Sequence, residues 1–267
     1  MTPFEVRRGD GPVILGLPHG GTDVPKDIAK RLNNNGRLLA DTDWHIAQLY
    51  DGLLPSVTTV AATFHRYVID ANRDPSGTSL YPGQNTTSLI PHTDFDGKPI
   101  WENGEEPGEA DVQKRLHAFH APYHAALAAE VARVKAKHGL AIVYDCHSIR
   151  SQIPFLFPGI LPALNIGTDM GKTCHPKIEQ RVLGVALVSG LSSVLNGRFR
   201  GGWTTRHYGQ PQTGVHAIQM EIAQNAYLDS EAVPFDYSFT KANLLRGHLK
   251  TILETLAATA EELKSHG

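Results

Sequence analysis

The chain sets short apolar runs directly against polar clusters. Val13-Ile14-Leu15-Gly16-Leu17 is too short for a typical helix and rich in β-formers, which predicts a core strand. Pro18-His19-Gly20-Gly21-Thr22-Asp23 follows at once, and its two glycines allow a tight turn and a close backbone approach. Leu140-Ala141-Ile142-Val143-Tyr144 predicts a second buried strand that ends in Asp145-Cys146-His147-Ser148. His19 and His147 thus have the same local setting in distant parts of the chain. Two strands of one parallel sheet would bring them to the carboxyl edge, where α/β proteins hold ligands and metals. Taken alone, His147 is either a strand cap or a ligand or base that Asp145 could orient.

The remaining pattern alternates helices with strands. Residues 25–32 predict a short helix closed by Asn33-Asn34-Asn35-Gly36. Ile46, Leu49, Tyr50 and Leu53 mark one face of another helix, where Asp41 or Asp43 is either an N-cap or a metal ligand. Residues 57–62 and Tyr67-Val68-Ile69 predict strands, the latter running into Asp70-Ala71-Asn72-Arg73-Asp74. Arg73 there either pairs with Asp70 or Asp74 or grips a carboxylate ligand. Residues 76–108 are rich in Gly, Pro, Asn and Thr and predict an irregular excursion with a small hairpin over residues 90–101. Residues 110–139 predict a helix interrupted at Pro122, carrying His117, His120, His124 and His138. His120 and His124 have i,i+4 spacing, but no Glu between them completes an HExxH pattern, so they are read as structural or exposed. A strand at 164–168, a helix at 178–189, a polar cluster at 199–209, a strand at 215–222 and a helix at 240–263 complete the reading.

Composition narrows the function. The chain has 267 residues, enough for one large α/β domain with a sizeable core. A formal net charge of -2 favours neither nucleic acid nor an anionic membrane, so neither is expected as a partner. Cys146 and Cys174 form no framework or CxxC pair, and no leader-like or spanning segment stands out, which predicts a cytoplasmic protein. GxSxG, GxGxxG and P-loop motifs are all missing. Cys146 is excluded as a partner of His147, because adjacent strand residues point to opposite faces.

Four features then stand at predicted strand ends or within strands: His19, the Asn72-Arg73 pair, His147 and Glu221. Two histidines and a carboxylate such as Asp43 make an open zinc site. Glu221, in the run Val215-His216-Ala217-Ile218-Gln219-Met220-Glu221-Ile222, is either salt-bridged or catalytic. Arg73, Arg66 and Arg206 are candidates for binding an anionic substrate. Together these residues describe metal-assisted hydrolysis of an amide on a small acidic molecule.

The same blocks resemble the N-formylglutamate amidohydrolases of bacterial histidine breakdown. They are Pro18-His19-Gly20-Gly21, Asp43 with its helix, residues 66–73, Asp145-Cys146-His147-Ser148, residues 201–209 and Gln219-Met220-Glu221 before Tyr227. The resemblance implies a single α/β domain over 1–267, zinc-carboxypeptidase- and amidase-like, with a mixed, largely parallel central sheet flanked by helices. It implies His19, Asp43 and His147 as ligands of one zinc or other divalent transition metal ion, with Asp23 as the competitor for Asp43. It further implies Glu221 as base, with Asn72, Arg73, Arg66 and Arg206 binding substrate. The implied reaction is hydrolysis of N-formyl-L-glutamate by a monomer or homodimer. The alternative is a zinc deacylase or amidase for another N-acyl acidic amino acid or peptide.

Overall fold

A computed structural model describes residues 2–78, 83 and 85–264. Its strands are β1 (Phe4–Arg7), β2 (Val13–Leu17), β3 (Thr58–Ala62), β4 (Ala141–Ile149), β5 (Leu164–Gly167), β6 (Ser193–Leu195) and β7 (Val215–Ala223). They form one sheet in the order β1-β3-β2-β4-β7-β5-β6. The centre, β3-β2-β4-β7, is parallel throughout. β1 joins antiparallel to β3 and β5 antiparallel to β7, so the sheet is mixed and largely parallel, as expected.

The helices are α1 (Lys26–Ala29), α2 (Ile46–Tyr50), α3 (Glu109–Arg115), α4 (Ala121–His138), α5 (Pro176–Val188), α6 (Trp203–Tyr208) and α7 (Phe239–Lys264). One face of the sheet packs on α2, α5 and α7 through Leu15, Ile142, Tyr144, Ile218, Met220, Leu249 and Ile252. The other packs on α4 through Ile14, Val60, Val143, Ala217, Tyr123, Leu127 and Val134. Both faces of the central strands are therefore covered, which explains their continuous apolar runs.

Several expectations need correction. β4 does not stop at Tyr144. It continues to Ile149 because β7 pairs with it residue for residue from Ala141↔Val215 to Ile149↔Ala223. His147 accordingly lies within a strand, whereas His19 lies just past one. Tyr67-Val68-Ile69 is a buried turn and not a strand: Val68 N–H bonds the His65 carbonyl and Tyr67 N–H bonds His65 Nδ1. These local bonds satisfy the backbone that a strand would have left to a neighbour. Gly20 and Gly21 pack closely on other parts of the chain. A Cβ on Gly21 would stand 2.3 Å from the Thr63 carbonyl carbon. The polar cluster at 199–209 contains the short helix α6, which no apolar period announced. In the excursion at 76–108, residues 79–82 and 84 lie outside the described residues, and Thr93 and Pro99 form an isolated antiparallel bridge.

Burial separates two leucines of equal size. Leu127 on α4 is fully buried, while Leu244 on α7 is 65% exposed. Leu127→Ala is expected to lower unfolding free energy by about 2–5 kcal/mol. Leu244→Ala should change it by less than about 0.5 kcal/mol. Urea unfolding of the two variants measures the contrast.

Candidate metal centre

The site forms where the α4-facing side of the central strands turns polar. On β4 this side reads Ala141, Val143, Asp145, His147; on β7 it reads Val215, Ala217, Gln219, Glu221. The first members of each series belong to the core, and the last line a cavity. Register places His147 directly beside Glu221, and Asp145 beside Gln219. His19 follows β2, the neighbour of β4, and its carbonyl accepts the Asp43 N–H at 3.1 Å. That bond brings the loop before α2 to the sheet edge. Neither Asp41 nor Asp43 caps α2; His45 occupies the N-cap position in a left-handed conformation.

His19, Asp43 and His147 are all buried, and one ligand atom of each lies within 4.8 Å of the others. Asp43 Oδ2 is 3.9 Å from His19 Nδ1 and 3.3 Å from His147 Nδ1. It also accepts the Ser148 N–H at 3.1 Å. Asp43 Oδ1 is buried without a hydrogen-bond partner. Asp23, by contrast, is exposed, and its backbone bridges to Phe64, so it lies outside the cluster.

The far side of each ring is held. His19 Nε2 donates to Asp70 Oδ1 at 2.7 Å, which leaves Nδ1 as the lone-pair nitrogen facing Asp43. Asp70 also accepts from Arg66 Nη2 at 2.6 Å and from the Asn72 N–H at 2.8 Å. Burial works against the Asp70 anion, but Arg66, His19 and Arg73 outweigh it and hold the carboxyl well below its usual range. Burial, with Arg66 adding to it, pulls His19 below its ordinary value, which favours the neutral ring a metal requires. His147 Nε2 lies 3.0 Å from Asp145 Oδ1 and 3.0 Å from Asn72 Nδ2. Burial lowers His147 as well, yet Asp145, Asp43 and Glu221 overcome it and push the imidazole well above its usual value.

The residues fit a divalent cation. Asp43 Oδ1 makes no hydrogen bond and has only Arg66 Nη1, at 3.9 Å, as a cationic neighbour, while three carboxylates surround His147. Two imidazole nitrogens and a carboxylate form a donor set that suits zinc and its neighbours.

A cavity of about 70 Å³ opens on the cluster. Glu221 lines it, and burial pushes its carboxyl above the usual range. Glu221 Oε2 accepts from Gln219 Nε2 at 3.2 Å, and Gln219 Oε1 accepts from the Gly202 N–H at 2.7 Å. Gly202 is needed there, since a Cβ would stand 2.3 Å from Asn72 Nδ2.

Asn72, Arg73 and Arg66 also line the cavity. Arg73 is anchored on Thr87 through its carbonyl and hydroxyl, both at 3.0 Å, and lies 3.8 Å from Asp70. Arg206 is not among the described lining residues. It bonds the Gly201 carbonyl and pairs with Asp169 at 3.3 Å. Arg198 lines the cavity instead, held by the Leu156 and Asn85 carbonyls. No sequence pattern distinguished it from the chain's other arginines. Cys146 faces the opposite core, where burial pushes its thiol well above the ordinary range. A larger groove of about 730 Å³, lined by Val6, Leu15, Tyr50 and Phe239, shares none of these residues.

Fold and site together define a class, an α/β protein whose mixed, largely parallel sheet carries a His/Asp/His group that can take a metal ion. A family model described as N-formylglutamate amidohydrolase matches residues 11–228. The chain belongs to that family. It is 43% identical over 258 residues to a Pseudomonas aeruginosa protein named N-formylglutamate deformylase, covering 96% of each chain. A Pseudomonas putida protein of the same name is 41% identical over 257 residues, again covering 96% of each. The crystal structure of an N-formylglutamate amidohydrolase from Ralstonia eutropha superposes with a TM-score of 0.79, at 26% identity over 100% of both chains. A protein from Agrobacterium tumefaciens shares the fold with a TM-score of 0.73, at 19% identity over 97% of this chain and 96% of its own.

Asp70 provides a test of the arrangement. Asp70→Asn is expected to weaken divalent-metal binding about 10- to 100-fold by releasing the His19 tautomer. Competition against a chromophoric chelator measures it.

Proposed function

We propose that this chain hydrolyses N-formyl-L-glutamate to L-glutamate and formate, as the last step of a histidine degradation route in the cytoplasm. The reading takes residues 1–267 as one amidohydrolase domain, with zinc or a similar divalent ion held by His19, Asp43 and His147. The observation that carries it is Glu221, paired in register with His147 and lining the cavity that opens on the cluster. The names of the two Pseudomonas relatives support the substrate.

When bound, the metal supplies Lewis acidity, which polarises a carbonyl and acidifies a water molecule. The chain's own groups do the rest. Glu221 takes a proton from the attacking water and delivers it to the glutamate nitrogen as the carbon–nitrogen bond breaks. Burial above its usual pKa suits a group that must accept and then release a proton. Gln219 holds the Glu221 carboxylate in place.

The substrate carries two carboxylates, and the cavity presents Arg66, Arg73 and Arg198. Arg66 is bound to Asp70 and stacked on Phe95 at 4.7 Å, so it serves as fixed positive charge. Arg73, with Asn72 beside it, is assigned to one carboxylate and Arg198 to the other.

Formate release from N-formylglutamate by the zinc-loaded protein tests the reading. A faster release of acetate from N-acetylglutamate would overturn the acyl assignment. Glu221→Gln is expected to lower kcat by at least about 100-fold with metal content unchanged. Near-normal turnover would remove Glu221 as the base. Arg73→Ala is expected to raise KM by about 10-fold or more, the range for a lost charged hydrogen bond, again without metal loss. Steady-state kinetics with metal analysis on one preparation measures both.

A further inference from the structure

His120 and His124 are not used by the chemistry above. Among the described residues neither belongs to a metal cluster, yet both are buried, with their rings 4.5 Å apart. Each Nε2 meets a carbonyl of the substrate-facing loop. His124 reaches Ala71 at 2.7 Å and His120 reaches Arg73 at 3.1 Å. The two acceptors flank Asn72. Burial holds both imidazoles below their usual values, so each is a neutral ring donating through Nε2. On the other side of His124, the Tyr208 hydroxyl lies 3.2 Å from Nδ1.

The backbone that presents them is unusual. Residues Leu116–His120 form a π turn between α3 and α4, closed by the Ala121 N–H on the Leu116 carbonyl. Pro122 follows and has no N–H to give, which favours a break in the ladder at this point. The extra residue also resets the helix face. In an unbroken helix Arg115 and His120 would stand about 140° apart, at about 100° per residue. Removing one residue from that count leaves about 40°. Arg115 then shares the face of the two histidines, and its Nη1 bonds the Val68 carbonyl at 3.0 Å. One helical rod thus grips three carbonyls of the segment that carries Asp70, Asn72 and Arg73. π turns recur at functional sites.

We propose that His120 and His124, brought into line by the π turn, are positioning residues that fix Asn72 and Arg73 for the substrate's carboxylate. The inference rests on the reading that Arg73 binds that carboxylate. An Arg73 backbone held in advance spares the substrate the cost of ordering it, so the effect falls on binding. The opposite face of the pair packs on Trp203 of α6, with ring centroids 5.6 and 4.6 Å away. α6 in turn donates its Thr204 N–H to Asn72 Oδ1 at 2.8 Å. Asn72 is therefore held from both the α4 side and the α6 side.

Three variants of the holoenzyme test this. His120→Phe keeps a ring without the donor, His120→Gln restores an amide donor, and His120→Ala is carried in parallel in case the Phe protein misfolds. For Phe and Ala, KM for N-formylglutamate is expected to rise about 3- to 10-fold, the range for one lost hydrogen bond. kcat should stay within about twofold, with metal content unchanged, and Gln should recover most of the loss. Amide exchange over residues 71–76, measured without substrate, is expected to quicken in Phe and Ala and not in Gln. An unaltered KM in Phe and Ala, or a Gln protein as impaired as Ala, overturns the proposal. If the wild-type protein releases no formate, the functional reading fails. Exchange then decides the loop contact by itself, and unchanged exchange in Phe and Ala overturns that too.

Discussion

The pairing of β4 with β7 is the constraint on which the site depends. Nine consecutive residues run in parallel register, from Ala141↔Val215 to Ile149↔Ala223. A slip of one residue would turn every side chain of one strand to the other face. A slip of β4 would bring Cys146 to the cavity and His147 to the core, and a slip of β7 would do the same with Met220 and Glu221. The apolar face of Ile142, Tyr144 and Cys146 against Ile218, Met220 and Ile222 makes that slip costly. Ordinary core packing therefore sets the distance between the candidate ligand His147 and the buried carboxylate Glu221.

A second constraint is electrostatic. Asp70 accepts from His19, from Arg66 and from the Asn72 backbone, and all four groups are buried. A buried anion is expensive unless several donors share it. Here the shared donors are the same groups that shape the cavity, so stabilising Asp70 and ordering the site are one arrangement. It orients His19 toward Asp43, holds Arg66 in place and fixes the turn that leads to Arg73. The cluster around His147 has the opposite character. Asp43, Asp145 and Glu221 crowd one imidazole, and one Asp43 oxygen makes no hydrogen bond.

Membership in the N-formylglutamate amidohydrolase family joins the fold and the cluster in one account. The parallel centre of the sheet places its polar strand ends together, as open α/β sheets do. Loops before α2, after the buried turn at 66–69 and before α6 then close around them. The first bonds the segment just past β2, through Asp43 N–H to the His19 carbonyl, and the last bonds β7, through Gly202 N–H to the Gln219 side chain, while the middle loop is closed on itself by Asn72 N–H to Asp70.

Much of this was legible in the residues. The apolar runs determined β2 and the first half of β4, because a strand buried on both faces is largely apolar, and alternation marked β7. The switch to Asp145, His147, Gln219 and Glu221 on one face marked where the core ends. Long helices were readable from their period, and the break near Pro122 from its missing donor. Other features depended on partners distant in the chain. β1 is a short edge strand with three exposed residues, so no burial pattern marks it. Tyr67-Val68-Ile69 has strand-like composition, but local bonds to His65 make it a turn. The choice of Asp43 over Asp23, and of Arg198 over Arg206 at the cavity, rests on where loops cross the sheet edge. The sequence alone determined which side chains the strands carry to that edge, because periodicity and burial are local. Only the tertiary structure decided which loop residues meet them, because those contacts are closed by backbone bonds between segments that no local pattern connects.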